Sequence, residues 1–388
     1  MSINPKGRWS EMSSNRKDEH LSLAEELHRP KPSAWDDVRF VHGSFPGLDR
    51  AAVDVSTSVC GRDWPVPFFI NAMTGGSEKT GAINADLARA AEATGVAMAC
   101  GSASPALKDL SLASTFRVVR DNAPEAFLFA NVSPEMTVEQ ARTAVGLLDA
   151  DALQIHVNPA QELVMPEGDR DFRHWLDRIG EIVEGVDVPV VVKEVGFGLG
   201  RSSIAAVAER GVTTVDVSGR GGTNFIDIEN RRRDKQEFAY LSGWGQSAPE
   251  CLLDTLHSAE PVPEVVSSSG APNTSDRPDT VRVLASGGVR TPLDVVRALV
   301  LGADAAGASG HFLHVLMEEG PDALVSEIEA WKDQVRTLIT LLGAADVAAL
   351  RSTEVLIGGD TADYARLRGV DLNALATRAT RRTRPTRR

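Results

Sequence analysis

The stretch VVVKEVGFGLGRSSIAAVAERG (190–211) admits two folds, and choosing between them decides the architecture. A β-branched run, a glycine loop and a segment with apolar residues at helical spacing make one strand–loop–helix unit. Such a unit would open a doubly wound nucleotide-binding sheet if its glycines followed the dinucleotide fingerprint. Gly196, Gly198 and Gly200 give only GxGxG, without the third glycine at the required spacing, which is a weak match. The rest of the chain therefore has to arbitrate.

From about residue 66 the same alternation recurs. Strand-like runs read PFFINAM (67–73), VAMAC (96–100), AFLFANV (126–132), ALQIHV (152–157), VPVVVKEV (188–195), TTVDVSG (213–219), VRVLASG (281–287) and DAAGAS (304–309), and helical patterns follow most of them. Eight strand-then-helix units with no strand-only region predict an all-parallel sheet, and eight is the number that closes. The expected fold is α/β, a (β/α)8 TIM barrel with an N-terminal extension. The expected divisions are an extension over 1–65, the barrel over 66–345, a helical segment over 346–376 and a basic tail over 377–388. Residues 1–65 should form a lid, a cap over the barrel bottom or an oligomer contact. The Pro- and Ser-rich stretch 258–280 should be a loop.

Composition narrows the partners. The chain has 388 residues, is 42% hydrophobic and carries a formal charge of -13, which argues against general affinity for nucleic acid or anionic membrane. Cys60, Cys100 and Cys251 are far apart with no CxxC pair, so neither a disulfide framework nor a zinc site is expected. No signal-peptide core or membrane-length apolar run is visible, and a cytoplasmic location is expected.

In such barrels the strand C-termini build the active site. The polar residues there are Asn71 and Thr74, Ser102, Asn131, His156 with Asn158, Lys193 with Glu194, Ser218 with Arg220, Ser286, and Ser309. For a Ser, Thr or Asn the ordinary alternative is a helix cap or a turn. Lys193 is different, because an ammonium closing an apolar run must emerge at the mouth or be paired inside. ASGGVRTPLD (285–294) and GASGHF (307–312) offer glycines and a helix N-terminus where barrels commonly hold a phosphate. A phosphate pocket, a lysine on the fifth strand and glycine-edged loops together suggest flavin mononucleotide, with the lysine beside the edge where charge accumulates on reduction.

These residues resemble a family, the FMN-dependent type 2 isopentenyl-diphosphate isomerases. The likeness runs from NRKDEHL (15–21) through INAMTGGS (70–77), GSASPALKD (101–109), QIHVNPAQELVMPEGDRDF (154–172), VKEVGFGLGRSSI (192–204), VDVSGRGGTNFIDIENRR (215–232) and WGQSAP (244–249) to ASGGVRTPLDVVRALVLGA (285–303). The resemblance implies conversion of isopentenyl to dimethylallyl diphosphate with reduced FMN, Mg2+, and NADPH as reductant of the flavin. It implies flavin contacts from Ala72, Met73, Thr74, Ser102, Asn131, Lys193, Ser218 and Thr223, with the phosphate between Gly287, Gly288, Val289 and Arg290 and the pair Ser309 and Gly310. Arg16, Lys17, His20, His156, Asn158 and Gln161 would bind substrate, with His156, Gln161 and Lys193 in catalysis and Glu162 on the magnesium. A homo-oligomer, a tetramer or octamer, is implied too. GSAS stands where many members have GSQR, so an arginine for the diphosphate is missing there.

Rival readings are an FMN oxidoreductase of the 2-hydroxy-acid oxidase type, an isomerase acting on another prenyl diphosphate, and a non-catalytic binding protein. The oxidases resemble one another in a histidine-containing glycine loop after a late strand, whereas SGRGGTNF (218–225) has none. Retention of Lys193, Gln161 and Glu162 together argues against mere binding.

Overall fold

A computed structural model describes residues 33–256 and 281–378. Twelve strands are present among them: β1 (Val38–Phe40), β2 (Thr57–Val59), β3 (Arg62–Trp64), β4 (Phe68–Ile70), β5 (Ala97–Ala99), β6 (Leu128–Val132), β7 (Ala152–Val157), β8 (Val190–Glu194), β9 (Thr214–Asp216), β10 (Arg282–Ala285), β11 (Ala305–Ala308) and β12 (Val355–Ile357). β4 to β11 close into a parallel barrel in chain order, with β11 hydrogen-bonded back to β4. Each of the eight runs expected as strands is one of its staves.

Strand parity sorts the side chains. Ile70, Met98, Leu128, Val192, Val215 and Ala285 face outward into one apolar cluster with the surrounding helices. The alternate residues face the barrel axis, and in its lower half they are apolar: Phe69, Ala97, Phe129, Ala152, Val191, Leu284 and Ala305 pack around Trp64. Trp64 comes from outside the barrel. The β2–β3 hairpin inserts it, 2% exposed, with its ring centroid 5.6 Å from Phe69, 5.3 Å from Phe127 and 5.9 Å from Phe129. The hairpin is thus a plug for the N-terminal end of the barrel, and burying that aromatic area is a large local gain.

Local sequence sets the helix ends. Ser77 with Thr80 and Thr137 with Gln140 form capping boxes for the helices Glu78–Thr94 and Val138–Leu148, and Gly95 ends the first in the left-handed region at φ 71°. The remaining strands tie the two ends of the described chain together. β1 pairs antiparallel with β12, Val38 opposite Ile357, and Arg297 of the helix Pro292–Val300 bonds Asp36 at 3.1 Å. The stretch 346–376 is therefore not wholly helical, since β12 lies within it.

The expectations for Arg16, Lys17 and His20, for the 258–280 loop and for the tail beyond residue 378 fall outside the described residues.

Candidate active site

Above the apolar floor the inward-facing parity continues, and apart from Ala99 of β5 its side chains become polar. Asn71, Asn131, His156, Lys193, Asp216, Ser218 and Ser286 lie at or just past the C-terminal ends of the strands, and Gln154 lies in the middle of β7. Asn71, Asn131, Gln154, Lys193, Asp216, Ser218 and Ser286 are each no more than 5% exposed. The two-residue repeat of a strand is what brings them together.

They form two hydrogen-bonded groups. On one side His156 Nδ1 and Asn131 Oδ1 are 2.7 Å apart, and Asn131 Nδ2 donates to Gln154 Oε1 at 3.4 Å. On the other, Asp216 accepts from Ser286 Oγ at 2.8 and 2.9 Å, from Ser218 N at 3.1 Å and from Asn71 Nδ2 at 3.2 Å. Lys193 stands between them, in register with His156 on β7 and Asp216 on β9, and its Nζ donates to Glu194 O at 3.2 Å. Gly307 makes room for this arrangement, because a Cβ there would lie 2.7 Å from Asn71 Nδ2 and 2.8 Å from the Phe69 ring.

The donor set suits FMN. Thr74 Oγ1 and Gln154 Nε2 are buried without a partner among the described residues, and such groups are costly unless something fills the site. The helix Gly310–Glu319 begins at Ser309 with no side-chain cap, which leaves its first N–H groups available to an anion. Gly287 and Gly288 have φ of 85° and 72°, and a Cβ on either would meet the backbone of Gly219 or Gly221 within 3.0 Å. The glycines after β10 are thus required by loop-to-loop packing as well as by any approach of a phosphate. Ser218 also holds a positive φ, 50°, and its hydroxyl accepts from Gly196 N at 3.0 Å. A serine in that region is strained, a cost that local hydrogen bonds offset. Val289 is buried, Ala72, Met73, Ser102, Arg290 and Gly310 are half-buried, and Thr223 is exposed, all on these loops. Ser102 bonds the Ser104 hydroxyl at 2.9 Å.

The GxGxG loop has another role. Its amides close on a carboxylate of the chain itself: Glu194 Oε2 accepts from Phe197 N at 2.8 Å and Gly198 N at 2.6 Å. Burial pushes the Glu194 carboxyl up to about 7. Outside the barrel, Glu194 floors a groove of about 600 Å3 bounded by Phe172, Trp175, Phe197 and Trp244. This is not the barrel mouth.

After β7 the helix Pro159–Val164 carries the remaining residues. Asn158 caps it by accepting from Gln161 N at 2.8 Å, and its Nδ2 donates to Val195 O at 2.6 Å. Gln161 Nε2 donates to Glu229 Oε1 at 3.0 Å. Glu229 is fully buried and bonded by Arg232, which also reaches Glu167. Glu162, half-buried, accepts from Asp169 N at 3.0 Å. Arg170 closes the turn around it, donating to Glu162 O and Met165 O. Among the described residues no group of three or more His, Cys, Asp or Glu is gathered for a metal, so Glu162 offers a single carboxylate.

Sequence reasoning passed over Asp216, Gln154 and Glu229. The first two share inward parity with Ser218 and His156, a usable signal; Glu229 lies inside a quoted motif, but its approach to Gln161 spans 68 residues and is visible only in the fold. In the loop 218–225, Arg220 turns toward Glu250 at 3.4 Å.

The parallel barrel, with a lysine and anion-ready loops at its mouth, has the frame of an FMN-dependent (β/α)8 enzyme. The sequence profile of the FMN-dependent dehydrogenases matches residues 113–356. Solved structures similar in fold include flavocytochrome b2 with pyruvate bound, TM-score 0.60 at 20% identity over 100% of this chain and 86% of that one. A mandelate oxidase aligns at TM-score 0.57 and 17% identity, over 90% and 94%. At such identities the likeness establishes the fold alone. An isopentenyl-diphosphate delta-isomerase of Streptomyces sp. (strain CL190) is 49% identical over 95% of this chain and 96% of its own length. Another, from Latilactobacillus sakei subsp. sakei (strain 23K), is 46% identical over 92% and 97%. The chain belongs to the FMN-dependent, type 2 isopentenyl-diphosphate delta-isomerase family.

Proposed function

We propose that this chain interconverts isopentenyl and dimethylallyl diphosphate. A proton adds to the terminal carbon of the alkene, another leaves from the carbon two positions along, and no net oxidation occurs. The observation that carries the reading is the ring of polar side chains over an apolar barrel floor, with Lys193 in its middle and Gln161–Glu229 at its edge, in a chain of this family.

When bound and reduced, FMN supplies an acid–base centre beside an alkene that ordinary side-chain acids protonate poorly. Ala72, Met73, Thr74, Ser102, Asn131, Lys193, Ser218 and Thr223 would hold its ring, and residues 287–290 with Ser309 and Gly310 its phosphate. Lys193 would balance the negative charge of the reduced ring.

The chain's own residues do the rest. His156, fixed by Asn131, would bind the substrate from the floor side. Asn158 fixes the start of the helix Pro159–Val164, and thereby Gln161, beside the carbon end. Glu229 would accept the Gln161 Nε2–H at Oε1 and so fix the orientation of the amide beside the carbon that loses its proton. Glu162 would give Mg2+ one carboxylate while diphosphate oxygens and water complete its shell, the usual arrangement in phosphate sites. Arg16, Lys17 and His20 would take the diphosphate, and NADPH would reduce the flavin. A cytoplasmic tetramer or octamer is the expected form; no described helix is long and apolar enough to cross a membrane.

Incubation with isopentenyl diphosphate, FMN, Mg2+ and a reductant tests this. Acid-labile allylic product should accumulate to equilibrium with no stoichiometric loss of NADPH. Steady NADPH oxidation coupled to substrate, or no allylic product, would refute it.

A further inference from the structure

We propose that Asp216 is the positioning residue of the flavin seat, an anchor that draws together the roots of three cofactor loops and sets its negative charge opposite Lys193. The inference rests on FMN occupying the barrel mouth.

Asp216 is fully buried, and carboxylates are almost never so unless something repays the loss of water. Here the compensation comes from neutral donors on three elements. Asn71 begins the loop to Ala72, Met73 and Thr74; Ser218 begins the loop to Thr223; Ser286 directly precedes Gly287. These are the loops whose residues are expected on the ring and the phosphate. One carboxylate therefore fixes the relative heights of loops that are 145 and 70 residues from it in sequence. Two of the donor residues are held further. Asn71 Oδ1 accepts from Ala72 N at 2.8 Å, so the amide spans Asp216 and the loop itself, and Ser218 Oγ accepts from Gly196 N.

The charge has a second consequence. Lys193 and Asp216 are register partners on β8 and β9, both turned inward. Nevertheless Lys193 Nζ donates to the Glu194 carbonyl rather than to Asp216. The seat therefore carries a cation and a separate anion, and the anion disfavours added negative charge on a ring above it.

The experiment compares Asp216→Asn with the wild-type holoenzyme. Asn keeps the shape, loses the charge, and turns an amide N–H2 toward donors. Oxidised FMN, followed by fluorescence quenching, should bind at least tenfold more weakly. The reduced form should lose less, so the midpoint potential should rise; a tenfold difference between the two losses is about 30 mV for a two-electron couple. A potential equal to wild type, with or without a lowered Tm, overturns the proposal and leaves Asp216 a packing residue. Wild-type protein that takes up no FMN would instead remove the reading underneath. Should Asp216→Asn fail to fold, Ser286→Ala removes the hydroxyl that bridges both Asp216 oxygens and keeps the charge. Several-fold weaker FMN binding at an unchanged Tm supports the anchor, and wild-type affinity overturns it.

Discussion

Replacing Glu194 by Gln isolates a buried carboxyl whose protonation falls near neutrality. Glu194 is 5% exposed, and one of its oxygens takes both the Phe197 and the Gly198 amides. Burial raises its carboxyl from 4.5 to about 7, against the opposing pull of the Gly198 and Phe197 N–H groups and the Lys193 ammonium. Across that interval the folded chain keeps a proton that the unfolded chain has released, so stability falls as pH rises. The contribution is fully present below the unfolded value and is lost as pH climbs through about 7. An interval of about 2.5 pH units at about 1.4 kcal/mol each amounts to on the order of 3 kcal/mol, most of it between pH 5 and pH 8. Glutamine has no proton to lose. Its amide nitrogen carries a cost, but the same one at every pH, so that cost cancels when each protein is compared with itself. Urea unfolding of the FMN-free proteins at pH 5 and pH 8 should show the wild type losing on the order of 3 kcal/mol more than Glu194→Gln between the two conditions. An identical pH dependence in both proteins would refute the reasoning.

Glu162→Gln should raise the Mg2+ needed for half-maximal turnover roughly tenfold or more while leaving FMN affinity within twofold, measured by magnesium titration of the rate. Gln161→Ala and Glu229→Gln should each lower kcat by roughly 100-fold with little change in flavin binding, and the double variant should lose little beyond either single one, because the two act as one pair. Arg16→Ala and Lys17→Ala should raise KM for the diphosphate far more than they weaken FMN retention; equal losses in both would count against their assignment. Trp64→Ala should cost about 3–5 kcal/mol in unfolding free energy, since it leaves the barrel floor without its plug.

The barrel was legible because its evidence is local and repeated. Runs such as ALQIHV and VPVVV announce strands through β-branched residues, and eight of them before eight helical patterns permit few topologies. Lys193 was legible for a related reason, as a charge where an apolar run ends. The partner of Trp64 was not, since CGRDW reads as a polar turn until the barrel bottom is seen to be open above it. Nor was the pairing of β1 with β12, because an antiparallel contact between Val38 and Ile357 leaves no mark on either segment.

The glycines show where pattern reading stops. Gly196 and Gly198 stand in a loop like those that cradle phosphate, but the amides of Phe197 and Gly198 bond the carboxyl of Glu194, and that of Gly196 bonds Ser218 Oγ. Gly287 and Gly288 stand in a similar loop, close-packed on the backbone of Gly219 and Gly221, and the next strand of the barrel, β11, leads into an uncapped helix start. Both loops need positive φ, so both need glycine. What separates them is which amides an acidic side chain of the chain reaches: those of Phe197 and Gly198 in the first, and that of Arg290, bonded to Asp294 Oδ2 at 3.1 Å, in the second. After β8 the residue following Lys193 points out of the barrel, and being a glutamate it turns back to fill its own loop. After β10 the outward position level with Glu194 is Ala285, which has no carboxyl to offer, while Ser286 before Gly287 faces inward with its hydroxyl committed to Asp216. An outward glutamate before the first loop and an outward alanine before the second, rather than the glycine pattern, are why we propose the second loop for the phosphate.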